Sequence, residues 1–161
     1  MSHHLLNNCL NLGKTFVRYD CIPTIYTMLT NSLRDRYQTF LHAIEHFQNL
    51  VNGYTSILQS PDKPEATAQN LDKLKLKQDF AQLKAIFTDE IANLSLNDLD
   101  TTLASRLQSY LTEINKQLQL LEIDLSFLQA SRQPATTQTK ITQIYKRLET
   151  LTNYCQAVLD L

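Results

Sequence analysis

Apolar side chains recur at steps of three and four residues through most of this chain, beginning just beyond Ser32. In the first such stretch they are Tyr37, Phe40, Ile44, Phe47, Val51, Tyr54 and Leu58. These steps place side chains on one side of an α-helix, so the pattern predicts a helix of about 40 Å from Ser32, a good N-cap, to Gln59. Gly53 lies inside this helix and costs about 1 kcal/mol relative to alanine. Either the apolar stripe outweighs that cost, or Gly53 marks a bend or a close contact.

Three further helices follow from the same periodicity. They are expected to cover residues 65 or 70 to 94, about 99 to 130, and about 135 to 159. Residues 60–64 form the first loop, and Asp98 or Asp100 is placed to cap the third helix. Short loops between long helices favour antiparallel neighbours, so the chain is predicted to be all-α, forming an antiparallel four-helix bundle. Two helical hairpins that pair across a homodimer fit the same pattern.

The stripes also predict which side chains face the core. On the second helix they are Leu76, Phe80, Leu83, Phe87, Ile91 and Leu94. On the third they are Leu107, Tyr110, Ile114, Leu118, Leu121, Leu125 and Leu128. On the fourth they are Ile141, Tyr145, Leu148, Leu151 or Thr152, Cys155 and Val158. The charged residues expected mostly outside the stripe of the third helix are Glu113, Lys116, Glu122 and Asp124.

The first 27 residues carry no sustained apolar period and are predicted to be an N-terminal arm, followed by a single helical domain over residues 28–161. Met28 is the only methionine after Met1, so one hypothesis is that native translation starts there. The alternative is a weakly ordered arm with a short helix around residues 5–12. The intact mass of the protein from its native cell distinguishes the two.

Composition narrows the functional classes. The chain has only two glycines, whereas phosphate-binding loops and dinucleotide-binding motifs need glycine at several set positions, so these motifs are not expected. Its net charge is −1 with spread-out basic residues, which argues against binding of nucleic acid. No apolar run approaches the ~20 residues of a transmembrane segment, and the N-terminus does not resemble a signal peptide. The protein is therefore expected to be cytoplasmic, with Cys9, Cys21 and Cys155 as free thiols.

Few residues suggest chemistry. His42 and His46, with Glu45 beside them, have the spacing of two metal ligands. They lie on the flank of the apolar stripe, and no further His or Cys in the same helix completes a coordination set, so no metal or other cofactor is expected. The basic run at residues 72–77 is interpreted as a solvated helix start, with contact to an acidic partner as the alternative. Cys155 lies on an apolar stripe and is expected to be buried rather than reactive. No catalytic constellation stands out, so we do not expect an enzyme.

The junction between the third and fourth helices is the most distinctive place in the chain. Ser131-Arg132-Gln133-Pro134 interrupts the periodicity, because Pro134 disfavours a helical Gln133 and suits the first turn of a new helix. The polar candidates here are Asp124, Gln129, Arg132 and Gln133, next to Pro134. Arg132 has two interpretations: it caps the preceding helix or bridges to Asp124, or it is presented with Gln133 to a protein partner.

This region also carries a resemblance to a known family. The chain reads TEINKQLQLLEIDLSFLQASRQPATTQTK from Thr112 and RLETLTNYCQAVLD from Arg147. It resembles the C-terminal half of the cyanobacterial heterocyst frequency control protein PatD family, most strongly from Tyr110 to Tyr154. The matching positions are Thr112, Glu113, Lys116, Gln117, Leu118, Leu120, Leu121, Asp124, Phe127, Leu128, Gln129, Ala130, Arg132, Gln133, Pro134, Ala135, Thr136, Arg147, Leu148, Leu151, Tyr154 and Cys155. The first half matches only in pattern, and residues 1–27 have no counterpart.

The resemblance implies a small helical regulator that limits the proportion of cells in a filament that become nitrogen-fixing heterocysts. It also implies binding to the tubulin-like division protein FtsZ and modulation of its assembly. These are expectations from the family, whereas the residues themselves predict only a non-enzymatic helical protein. An oligomerising, coiled-coil-like scaffold is the alternative, supported by the regular stripe from Tyr37 to Leu58.

Overall fold

The computed structural model describes residues 23–59, 66–97 and 99–161, with side chains for residues 31–56, 72–97 and 99–161. The described backbone forms four α-helices: α1 (Pro23–Gln59), α2 (Ala66–Ile86), α3 (Thr101–Ala130) and α4 (Pro134–Leu159). A six-residue π-helix (Phe87–Ala92) continues α2. These parts of the chain contain no β-strand. The all-α prediction is confirmed.

Contacts between the helices show that the bundle is antiparallel throughout. α2 and α3 run antiparallel, since Lys73 contacts Ser131 at the end of α3 and Lys84 contacts Glu122 earlier in α3. The same reversal relates α1 to α2, where the rings of Phe40 and Phe47 pack on those of Phe87 and Phe80. It relates α3 to α4, where Tyr110 packs on Tyr154 and Asp124 pairs with Arg147. It also relates α1 to α4, where Tyr37 lies near Cys155 and Asn52 is hydrogen-bonded to Tyr145. Each helix therefore packs between two antiparallel neighbours, as predicted.

The core runs along the centre of this bundle and follows the apolar stripes. The side chains that are buried on all four helices include Tyr37, Phe40, Ile44, Phe47, Val51, Tyr54, Leu76, Phe80, Leu83, Phe87, Ile91, Leu107, Ile114, Leu118, Leu121, Leu125, Leu128, Ile141, Leu148, Leu151, Cys155 and Val158. Leu151, rather than Thr152, faces the core, and Ile144 is a buried residue that the stripe omitted. Tyr110, Tyr145 and Leu94 pack against the core while remaining partly exposed. Leu58 lies outside the described side chains.

The start of the first helix differs from the prediction. α1 begins at Pro23, so Ser32 lies inside the helix and is not its N-cap. Proline suits a first helical position because its missing N–H would have no helical acceptor there. With 37 residues, α1 is about 55 Å long and includes residues 23–27 of the predicted arm. Residues 1–22, with Cys9, Cys21 and the proposed short helix, lie outside the described residues, as does the predicted loop at 60–64.

The second helix ends differently from the prediction as well. The sequence indicated a continuous α-helix to Leu94, whereas the backbone changes to π-helix at Phe87 and leaves it after Ala92. Both Phe87 and Ile91 remain buried across this change. The end is held by the side-chain amide of Asn93, which donates to the Thr88 carbonyl at 2.9 Å. The guanidinium of Arg36 in α1 donates to the Glu90 carbonyl at 3.3 Å.

The two later helices begin close to the predicted positions. Asp100 caps α3, since its Oδ1 accepts hydrogen bonds from the backbone N–H groups of Thr102 at 2.9 Å and Leu103 at 3.4 Å. The prediction of an aspartate cap is therefore confirmed for Asp100. α4 begins at Pro134, with Gln133 in an extended conformation. That is the backbone geometry expected of a residue before proline.

Candidate functional site

The junction of α3 and α4, here called the corner (residues 129–134), is held by a buried group of hydroxyls. The Ser131 hydroxyl donates to the Leu128 carbonyl at 2.8 Å. Because that bond uses the only hydroxyl hydrogen of Ser131, the Thr137 hydroxyl, also at 2.8 Å, is the donor in the second contact. Ser131 and Thr137 are both buried. The hydroxyls thus link the last turn of α3 to the first turn of α4.

A lysine from another helix completes the corner. The ammonium of Lys73, in α2, donates to the Ser131 carbonyl at 2.7 Å. Lys73 is only 9% exposed, and this burial lowers the pKa of its ammonium. The carbonyl groups of Leu128 and Ser131, where α3 ends, therefore accept from the Ser131 hydroxyl and from Lys73. The interpretation of residues 72–77 as a solvated helix start is wrong for Lys73, although Lys75 and Lys77 are exposed.

The predicted site residues divide into an exposed group and one buried residue. Gln129, Arg132, Gln133 and Pro134 are all exposed at the corner. Asp124 is buried on α3 and is not part of that surface. Among the described residues, the Arg132 side chain neither caps α3 nor pairs with Asp124, because Lys73 and two residues of α4 fill these roles. The structural interpretation of Arg132 is therefore wrong, and its guanidinium is left on the surface.

Asp124 instead joins α3 to α4. Its Oδ2 accepts a hydrogen bond from Arg147 Nε at 2.6 Å, and its Oδ1 lies 3.5 Å from Lys140 Nζ. Gln117 extends the network by accepting from Arg147 Nη1 at 3.2 Å. The expectation that Asp124 lies outside the packed surface is wrong, because α4 covers this flank of α3 and supplies two cations. A buried carboxylate is stable only when it is paired with cations and hydrogen-bond donors, which Arg147 and Lys140 supply here.

Beside this network, α3 and α4 enclose a shallow groove of about 410 Å³, here called the α3–α4 groove. Its lining consists of Gln117, Asp124, Lys140, Gln143, Lys146, Arg147 and Thr150. Three of these side chains are cationic and one is anionic. Lys140 also donates to Gln143 Oε1 at 2.8 Å, which fixes its position along the groove. The groove therefore presents a local excess of positive charge on a chain whose net charge is −1.

An apolar ridge lies on the same hairpin. Ile123 and Phe127, one turn apart on α3, are 50% and 55% exposed. The Lys140 ammonium lies 4.7 Å from the centre of the Phe127 ring, which is within the range of a cation–π contact. The ridge therefore borders the α3–α4 groove. Two large apolar side chains at i and i+4 form a small contact surface of the kind that a partner covers.

The sequence contains a signal for this ridge, although the predicted site does not include Ile123 and Phe127. Because Leu121, Leu125 and Leu128 face the core, Ile123 and Phe127 must project from another side of α3. Lys140 and Arg147 gave no comparable signal, since they meet Asp124 of α3 only when α4 packs in its observed register. Of the predicted set, the structure brings together Gln129, Arg132, Gln133 and Pro134 at the corner.

The histidines and the cysteine that were considered as candidates do not form a site with the described residues. His42 and His46 are both exposed. No three metal-ligating side chains converge anywhere in residues 31–56, 72–97 and 99–161. Cys155 is a fully buried free thiol, as predicted, and burial raises its pKa to about 12. Such a thiol is almost entirely protonated at neutral pH and is therefore a poor nucleophile.

Further cavities border the described helices. One of about 690 Å³ lies between the π-helix end of α2 and the start of α3, against Phe87, Leu94 and Leu111. Another, of about 380 Å³, lies between α2 and α3 at Leu74 and Leu125. A smaller groove of about 230 Å³ lies between α1 and α2 at Gly53, Tyr54 and Asp79. A Cβ added to Gly53 would meet nothing within 4 Å, so this glycine does not mark a close contact. Burial raises the pKa of Tyr54 to about 12.

Within the described parts of the chain, no helix combines the length and apolar character that crossing a membrane requires. The chain was also compared with known proteins by sequence and by structure. It has no significant match among protein-family models, curated proteins or solved structures.

Proposed function

We propose that this protein is a non-enzymatic cytoplasmic regulator that acts by binding another protein, and that its partner is the tubulin-like division protein FtsZ. In this proposal the helical bundle modulates FtsZ assembly and thereby influences how often cells differentiate into heterocysts. The partner and the biological role come from the resemblance of residues 110–154 to the PatD family.

The observation that carries the proposal is the exposed position of Arg132. Its guanidinium forms no hydrogen bond or ion pair with a described residue, since Lys73 and Ser131 donate to carbonyl groups at the end of α3 and Arg147 is the close partner of Asp124. Arg132 is nevertheless part of the motif that resembles the PatD family. An exposed arginine on a rigid corner is well suited to a protein interface, since arginine is enriched among the residues that dominate binding energy.

Hydrogen bonds also hold the backbone of the corner on its buried side. Ser131 and Thr137 are buried and hydrogen-bonded to each other, and Lys73 ties them to α2. Gln133 is held extended by Pro134. A preorganised surface loses little conformational entropy on binding, which favours affinity. Gln129, Arg132 and Gln133 are therefore proposed as the partner-binding residues, with Pro134 fixing their position.

Co-sedimentation with polymerising FtsZ tests the proposal. The expected result is that the chain pellets with FtsZ in a nucleotide-dependent way, and that Arg132→Glu weakens this at least about tenfold, in the range of an interface hot spot. Arg106→Glu is the matched control, because Arg106 is an exposed arginine near the other end of α3. Equal pelleting of all three proteins would contradict the assignment of the corner, and no pelleting of the wild type would contradict the partner.

The alternative is an oligomerising scaffold without enzymatic activity, which the exposed Ile123 and Phe127 favour. If the bundle associates with itself through this ridge, Phe127→Ser should shift it to monomers. Light scattering coupled to size-exclusion chromatography measures this directly. A wild-type protein that stays monomeric over the concentration range of the binding assays would remove the scaffold.

A further inference from the structure

The α3–α4 groove contains more cationic side chains than its single carboxylate can neutralise. Arg147 Nε forms the short 2.6 Å contact with Asp124, so these two charges neutralise each other. Lys140 lies farther away, at 3.5 Å, and Lys146 is exposed and forms no ion pair with a described residue. The lining therefore has a surplus of two positive charges, three cations against one carboxylate. Such a surplus in a concave surface attracts anionic groups.

From this arrangement we propose that the α3–α4 groove binds an acidic segment of a protein partner, with an apolar side chain of that segment seated on Ile123 and Phe127. The inference deepens the proposed function and rests on it for the identity of the partner. It concerns side chains that the corner assignment does not include. Lys140 and Lys146 would face the acidic side chains, while Arg147 stays with Asp124.

The dimensions suit an extended peptide. Lys140 and Lys146 are six positions apart on α4, which corresponds to about 9 Å along the helix axis. A peptide in the extended polyproline II conformation advances about 3.1 Å per residue with three residues per turn, so two acidic residues three positions apart lie on the same side of it and span roughly the same distance. Phe127 lies beside Lys140 at one end of the groove. An apolar residue next to the first acidic one would therefore reach the ridge.

The polar lining favours a peptide over other anions. The amides of Gln117 and Gln143, with the hydroxyl of Thr150, offer both donors and acceptors to a peptide backbone. A nucleic acid would require an extended basic surface, whereas the chain has 15 basic and 16 acidic residues. The apolar ridge adds a contact that a free inorganic anion cannot use. Together these features point to an acidic, partly apolar protein segment.

Fluorescence anisotropy with the full chain tests the inference. The probe is a labelled synthetic peptide of about a dozen residues with glutamates three positions apart and leucines beside them. A peptide with glutamine in place of glutamate is its control. We expect the glutamate peptide to bind at least about tenfold more tightly, and added salt to weaken it, because the contacts are between partly exposed charges. Equal binding of both peptides, or tighter binding of a single-stranded oligonucleotide, would overturn the inference.

Variants locate the site. Lys146→Glu is expected to weaken the glutamate peptide about fivefold or more, and Phe127→Ser by a similar factor. Lys77→Glu is the matched control, an exposed lysine on α2, and should leave the affinity within about twofold. Lys146→Gln provides a second variant that avoids a new negative charge near Glu149. A loss with Lys77→Glu equal to that with Lys146→Glu would overturn the placement of the site.

The same variants separate this inference from the proposed function. If FtsZ pelleting is lost with Arg132→Glu but unchanged with Lys146→Glu and Phe127→Ser, the corner assignment holds and the groove proposal fails. If the peptide binds as expected but the wild-type chain does not pellet with FtsZ, the groove proposal holds and the partner assignment fails. Thermal unfolding monitored by circular dichroism confirms that each variant is folded before its binding is compared.

Discussion

Replacing Asp124 with asparagine removes the charge that joins α3 to α4 and keeps nearly the same volume. The carboxylate is 7% exposed and lies 2.6 Å from Arg147 Nε and 3.5 Å from Lys140 Nζ. The variant therefore leaves two cations facing each other without their shared counterion. Breaking a fully buried ion pair in this way costs about 3–5 kcal/mol.

The cost should be smaller here because both cations reach solvent. The side chains of Arg147 and Lys140 are 27% and 21% exposed, so water partly replaces the lost carboxylate. Asparagine also retains an oxygen that can accept from Arg147. We expect a loss of about 2–3 kcal/mol in the free energy of unfolding, which corresponds to roughly 5–10 °C in Tm for a chain of this size.

Urea denaturation followed by circular dichroism measures this loss. Glu149→Gln is the control, because Glu149 is an exposed carboxylate on α4 that forms no ion pair with a described residue. It should change stability by less than about 0.5 kcal/mol. The double variant Asp124→Asn with Arg147→Gln should lose less than the sum of the two single variants, by about 1–2 kcal/mol. A loss below about 1 kcal/mol for Asp124→Asn, or full additivity, would refute this account of the interface.

Three further predictions concern the corner, the first helix and the core. Lys73→Met should cost about 1–2 kcal/mol, because it removes the donor to the buried Ser131 carbonyl, whereas the exposed control Lys77→Met should be nearly neutral in urea denaturation. Gly53→Ala should raise the free energy of unfolding by about 0.5–1 kcal/mol, since the added methyl meets nothing; a loss would indicate an unrecognised contact. The pKa of Cys155 is raised from 9.0 to about 12, so the folded state holds its proton between these values and stability falls as pH rises above 9. Near pH 10.5 this amounts to about 2 kcal/mol, and Cys155→Ala should remove that part of the slope in alkaline urea titrations; an unchanged slope would contradict it.

Most core residues could be predicted from the sequence, because helical periodicity indicates which side chains of each helix are buried. Phe80, Ile114 and Leu148, for example, lie at positions of the predicted apolar stripes, and each is buried. The π-helix could not be predicted in this way. Phe87 and Ile91 are four residues apart, which suits an α-helix as well as the observed backbone. A change in the hydrogen-bond pattern of one turn leaves almost no trace in the order of apolar residues.

The candidate site was only partly predictable for a related reason. The break at Pro134 and the exposed corner follow from local rules about proline and helix ends. The burial of Asp124 and Lys73 follows from contacts between helices, namely with Arg147 and with the Ser131 carbonyl. Periodicity within one helix shows which side faces a neighbour, but not which residue of the neighbour lies opposite. Charges on the edge of a stripe are therefore hard to assign.

Sedimentation tests the proposal that the exposed corner binds FtsZ. Wild-type protein, Arg132→Glu and the control Arg106→Glu are each sedimented with FtsZ under polymerising and non-polymerising conditions. The account predicts that wild type and Arg106→Glu pellet with the polymer, and that Arg132→Glu remains folded but stays in the supernatant. Pelleting of Arg132→Glu to the same extent as wild type, or the absence of wild type from the pellet, would contradict it.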